Sequence, residues 1–94
     1  MEESITERCR RLLAVVEELE GKGVTIIAAS VDSWNTPNVH INSGGDKSIF
    51  AGMAAKVKNH SVGQKKYTVV MGEGVEVFWL VSFAVLPMEQ EVTL

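Results

Sequence analysis

The stretch Ser43-Gly44-Gly45-Asp46-Lys47-Ser48-Ile49-Phe50-Ala51-Gly52-Met53-Ala54-Ala55-Lys56-Val57, residues 43–57, decides how the chain is divided. Its leading glycines break a strand, and Asp46 is a residue type that caps helices. Ile49, Phe50, Met53, Ala54 and Val57 follow at helical intervals and predict a second helix that fades near Lys58-Asn59-His60. Gly52 inside it permits close packing at a small cost in propensity.

Upstream, Ser4 and Glu7 have the spacing of a capping box. Ile5, Cys9, Leu12, Leu13, Val16 and Leu19 form one apolar stripe that predicts a first helix, ended by Gly21-Lys22-Gly23. Residues 24–31 are a nearly continuous apolar run rich in β-branched side chains, hence a strand. Asp32 to Pro37 carry turn-forming residues. Asn38 to Asn42 resume as a strand, with Val39 and Ile41 on one face and His40 on the other. Downstream, residues 61–64 read as a linker. Residues 65–71 and 75–83 read as strands around Gly72-Glu73-Gly74, a hairpin signal.

The predicted order over residues 1–83 is α-β-β-α-β-β. This is a single α+β domain with a four-stranded, mainly antiparallel sheet and two helices on one face. The strand order within the sheet stays open. Residues 84–94, with Pro87 and acids among apolar residues, read as a mobile or partner-bound tail.

At 94 residues a single domain is expected, and 46% hydrophobic against 22% charged residues argues against disorder. The most apolar run, residues 77–86, is far shorter than the roughly 20 residues a spanning helix needs. Met1-Glu2-Glu3 is acidic where a secretory signal is basic. A cytoplasmic protein with no membrane association is therefore expected. Cys9 has no second cysteine to pair with and reads as a buried, reduced thiol. Together with only His40 and His60 it cannot build a zinc site, and no metal or cofactor is expected.

The net charge of −3 is unevenly spread: five lysines and no acid lie between Lys47 and Lys66, and four glutamates and no base follow Tyr67. Lys56, Lys58, Lys65 and Lys66 are the candidates for nucleic-acid binding. The acidic total, and the lack of arginine or an RNA-recognition signature in this region, make that reading unfavoured. Gly44-Gly45-Asp46-Lys47-Ser48 lacks the glycines of a phosphate loop and reads as an ordinary turn. His40, with Asp32 and Trp34, is the candidate for a small enzyme. No nucleophile motif accompanies it, so a structural histidine is the simpler reading and no catalytic residue is assigned.

The last strand is apolar on both sides. Val75, Val77, Trp79, Val81 and Phe83 point one way, Glu76, Phe78, Leu80 and Ser82 the other. Helices on one face leave the second face in need of cover. Val70, Phe78 and Leu80 are therefore interface candidates. Trp34 is a fourth, either as a binding hot spot or as a ring folded over the sheet edge. The expectation is a non-enzymatic binding protein that self-associates through its sheet, as a homo-oligomer with a dimer favoured, or that takes another protein partner.

The layout also resembles a set of small uncharacterised phage and prophage proteins. The likeness rests on the helix ending in Gly21-Lys22-Gly23, the Val39-His40-Ile41 strand running into a glycine-started helix, and the Tyr67 strand followed by Gly74-Val75-Glu76-Val77-Phe78. It spans most of residues 5–83; Ser43-Gly44-Gly45 and the acidic tail depart from it. The resemblance implies an accessory role and carries no catalytic residue.

Overall fold

The computed structural model describes residues 3–45, 47–61, 63–82 and 90–94. Among these, one α-helix, α1 (Ile5–Gly21), precedes six strands: β1 (Ile26–Ser30), β2 (Asn38–Ile41), β3 (Ala54–Ser61), β4 (Gln64–Met71), β5 (Val75–Ser82) and β6 (Gln90–Thr93). A 3-10 turn, Ser48–Phe50, lies between β2 and β3. The strands form one sheet in the order β1-β2-β5-β4-β3-β6. All neighbours are antiparallel except β2 and β5, which run parallel.

This corrects the expected four-stranded sheet with two helices. The fold remains α+β, but it holds one helix and a six-stranded mixed sheet. The second helix does not form. Gly52 adopts φ +84°, a left-handed conformation that interrupts a right-handed helix. From Ala54 the chain alternates instead: Ala55 and Val57 are buried, Lys56 and Lys58 exposed. That is the two-residue period of a strand. Ladders to β4 on one side and β6 on the other use its backbone groups. The predicted cap, Asp46, lies outside the described residues, as do Val62 and residues 83–89.

Where a tail was expected, residues 90–93 form β6 on β3. The pairing continues through Gly52 N–H to Leu94 C=O at 2.8 Å and Leu94 N–H to Met53 C=O at 2.9 Å.

The first helix begins as its sequence predicts. The Ser4 hydroxyl accepts from Glu7 N–H at 3.1 Å, while the Glu7 carboxylate turns to Arg10 at 2.9 Å. It ends in a Schellman cap: Val24 N–H donates to Leu19 C=O, Gly23 N–H to Glu20 C=O, and Gly23 takes φ +79°.

The helix is rolled relative to the predicted stripe. Val15 and Leu19 are buried and Leu12 and Val16 partly so, whereas Ile5, Cys9 and Leu13 are exposed. The predicted buried thiol is thus a surface thiol. Two arginines account for the roll. Arg8 Nη1 donates to Asn35 C=O at 2.5 Å and Asp32 C=O at 3.4 Å, in the β1–β2 loop. Arg11 donates to Glu73 C=O in the β4–β5 turn and pairs with Glu3. Both loops lie at the end of the sheet where β2 and β5 begin side by side, so the two arginines fix the helix over that end and set which of its faces meets the sheet.

That helix packs mainly on β1, β2 and β5. Over the other half of the same sheet face, Phe50 from the 3-10 turn is fully buried and stacks on Trp79 at 5.1 Å, and Trp79 stacks on Tyr67 at 5.6 Å. The core therefore lies between the sheet and a two-part lid. It comprises Val15, Leu19, Val39, Ile41, Phe50, Ala55, Val69, Met71, Val75, Val77 and Trp79.

Candidate functional site

Ladder register assigns every strand residue to a face. Val39, Val77, Val69, Tyr67, Trp79 and Val57 share the covered face. Their neighbours form the opposite one: His40 on β2, Phe78 and Leu80 on β5, Lys66, Thr68 and Val70 on β4, Lys56 and Lys58 on β3. Among the described residues no helix or strand lies over this second face. In sequence β5 reads as apolar on both sides, and its second side is open among the described residues.

This face brings together residues that three separate readings of the sequence had singled out. Val70, Phe78 and Leu80 came from the interface argument, Lys56, Lys58 and Lys66 from the charge argument, and His40 from the catalytic one. Their geometry is specific. The His40 and Phe78 rings stack at 4.6 Å with an interplanar angle of 14°. On the other side of Phe78, Lys66 Nζ sits 4.5 Å from the ring centroid, a cation–π contact. Both faces of Phe78 are therefore occupied. Phe78 and Leu80 are only half-exposed, while Val70 is 60% exposed.

Beside this stack a shallow depression of about 160 Å3 is lined by Lys56, Lys58, Lys66, Thr68 and Glu76. Lys58 stands directly opposite Lys66 in the ladder. Like charges placed directly opposite each other disfavour the pairing. Glu91 stands opposite Lys56 in the β3–β6 ladder. Arg8, Arg10 and Arg11 of α1 form ion pairs with Glu3, just before the helix, and with Glu7 in its first turn. Lys65, the fourth lysine of the charge argument, falls on the covered side, opposite Val81. Lys47, in the glycine turn, donates to Ser43 C=O at 2.8 Å and Gly44 C=O at 2.9 Å, and lies over Trp79.

Nothing brings His40 and Asp32 together as a catalytic pair. His40 packs on Phe78, whereas the Asp32 carboxylate accepts from Trp34 N–H at 2.8 Å, Asn35 N–H at 2.6 Å and Asn35 Nδ2 at 3.1 Å. The Asn35 backbone bond, reinforced by its side chain and by Trp34 N–H, holds this carboxyl below its ordinary pKa. Among the described residues no cluster of three or more metal-ligating side chains occurs.

A second surface was not anticipated. Among the described residues, sheet order leaves the outer edge of β1 without a neighbour. Residues 25–31 carry no charge, and β1 is exposed beyond its first residue. Ile27, at the bulge between Ile26 and Ala28, is 57% exposed. The flank of α1 turned away from the β4–β5 turn, and so toward the β1 edge, presents Ile5 at 44% and Leu13 at 56% exposure, with Cys9 between them. Trp34 projects from the β1–β2 loop at 88% exposure. Trp34 therefore does not fold over the sheet. The Ile5, Cys9, Leu13 spacing is the sequence signal for this margin, and it is indistinguishable in sequence from a core stripe.

Taken together, these features define a small α+β domain with a one-sided lid, an open sheet face and a bare apolar edge. No protein-family model, curated protein or solved structure matches the chain. No helix among the described residues is long and apolar enough to cross a membrane.

Proposed function

We propose that the chain is a non-enzymatic binding protein that self-associates along the β1 edge of its sheet, as a dimer. One observation carries this reading: four exposed large hydrophobic side chains, Ile5, Leu13, Ile27 and Trp34, belong to the elements that border one unpaired strand edge. An open strand edge is a row of unpaired N–H and C=O groups that asks for another strand. Protein edges are ordinarily guarded by lysine, proline, brevity or a bulge; this five-residue strand has a bulge at Ile27 but carries neither lysine nor proline. A second copy fits it. About a two-fold axis β1 pairs antiparallel with itself, and each Leu13 flank meets the other beside the ladder.

The reading moves the self-association surface away from Val70, Phe78 and Leu80. With both faces of Phe78 taken by His40 and Lys66, Val70 is the one interface candidate of the open face left largely exposed. Three lysines there also disfavour burial against a second copy, since lysine is depleted at interface centres. An accessory role of the kind implied by the phage-type resemblance is compatible with a dimeric binding module.

Sedimentation equilibrium tests the proposal. The wild type is expected near twice its 10.3 kDa chain mass at micromolar concentration. Ile27→Lys, which places a charge on the edge, and separately Leu13→Glu are expected to give the single-chain mass with an unchanged far-ultraviolet spectrum. A monomeric wild type, or a dimer indifferent to both substitutions but dissolved by Phe78→Glu, overturns it.

A further inference from the structure

An edge-paired dimer leaves the open sheet face free, and the chemistry of that face is independent of whether the dimer forms. Lys56, Lys58 and Lys66 crowd one depression, two of them directly opposed, with Glu76 as the one described carboxylate lining it. In a chain of net charge −3 this is a local concentration of the opposite sign. Cross-strand repulsion of this kind is relieved when an anion enters between the amines. Two strands away, the His40 ring has one face on Phe78, and its ladder neighbour on the other side is Ala28, whose methyl group is small. A planar ring can lie there.

We propose that the open face is a binding site for single-stranded nucleic acid, with backbone phosphates held by Lys56, Lys58 and Lys66 and a base stacked on the outer face of His40. The distance fits: β2 to β3 spans three strand spacings, about 14 Å, so a strand of a few nucleotides running across the sheet reaches both features. A positive groove joined to an aromatic platform is how sequence-tolerant single-strand binding works. A duplex, whose bases are stacked internally, can use the lysines but not the ring. The ring therefore favours a single strand over other polyanions.

Fluorescence anisotropy of labelled oligo(dT) and oligo(U), against a duplex of equal length and heparin, tests the site. Binding to the single strands is expected at about 20 mM salt. With three phosphates neutralised, raising salt from about 50 to about 150 mM should weaken it roughly tenfold. The double variant Lys58→Gln, Lys66→Gln should bind several-fold more weakly with a flatter salt dependence. His40→Ala should weaken binding without altering the salt dependence, and Lys22→Gln, a charge change at the end of α1, should do neither. Failure of the single strands to bind overturns the proposal. So does equal binding of heparin and duplex with no effect of His40→Ala, which would mark a surface for another anionic partner such as a phosphorylated protein. The Ile27→Lys variant keeps the two proposals apart: retained oligonucleotide binding by a monomer supports this site whatever becomes of the dimer.

Discussion

Asp32 shows how a single side chain can fix an exposed ring in place. Its carboxylate gathers the N–H groups of Trp34 and Asn35, and Arg8 reaches the carbonyls of Asp32 and Asn35 from the helix. Trp34 is thereby presented on a tied loop while remaining 88% exposed. These hydrogen bonds favour the ionised carboxyl, so its folded pKa lies below the unfolded value. The sign of the linkage follows. The contribution is complete above the ordinary aspartate pKa of about 3.9 and is lost as pH falls through the lower, folded value. In a two-dimensional NMR titration, the Trp34 and Asn35 amide shifts should hold constant down to about pH 4 and move together only below it. A shared midpoint above that range would contradict the loop geometry. At Phe78 the same economy appears: one ring engages both His40 and Lys66, so a residue that looked like an uncovered hydrophobe is largely partnered within its own chain.

At the scale of elements, the 3-10 turn does the work expected of a second helix. Phe50 fills the half of the covered face that α1 does not reach, against Trp79. Removing a fully buried phenylalanine ordinarily costs about 3–5 kcal/mol. A domain of this size has only about 5–14 kcal/mol to lose. Phe50→Ala is therefore expected to move the urea midpoint strongly toward lower denaturant. A shift worth less than about 1 kcal/mol would mean the ring is not the plug described here.

Much of this level was legible in the residues. The Ser4 cap, the glycine stop, the first two strands with the turn between them, and the hairpin around Gly72–Gly74 follow from local rules. Residues 49–57 misled because Ile49, Phe50, Met53, Ala54 and Val57 fit a helical period. The alternation of Ala55 and Val57 with Lys56 and Lys58, which fits a strand, is equally present and shorter. Tertiary pairing decided between them, with β4 and β6 on either side of β3. The roll of α1 was hidden for a related reason: arginines anchored to loop carbonyls outweighed the apolar stripe. The site was legible as residues but not as a place, because only the ladder register brings His40, Phe78 and three lysines onto one face.

For the whole molecule, the account assigns different work to different surfaces. One sheet face makes the core; the proposals give binding to the other face and assembly to the β1 edge. Edge pairing would set two open faces side by side in one continuous sheet, doubling the platform rather than covering it. The most direct measurement is amide hydrogen exchange, resolved by residue, on dilute and concentrated wild-type protein. The account predicts that amides within Ile26–Ser30 gain protection as concentration rises, while those of β6 do not, and that Ile27→Lys abolishes the gain. Exchange in β1 that is fast and independent of concentration, or protection that rises at β6 instead, would contradict it.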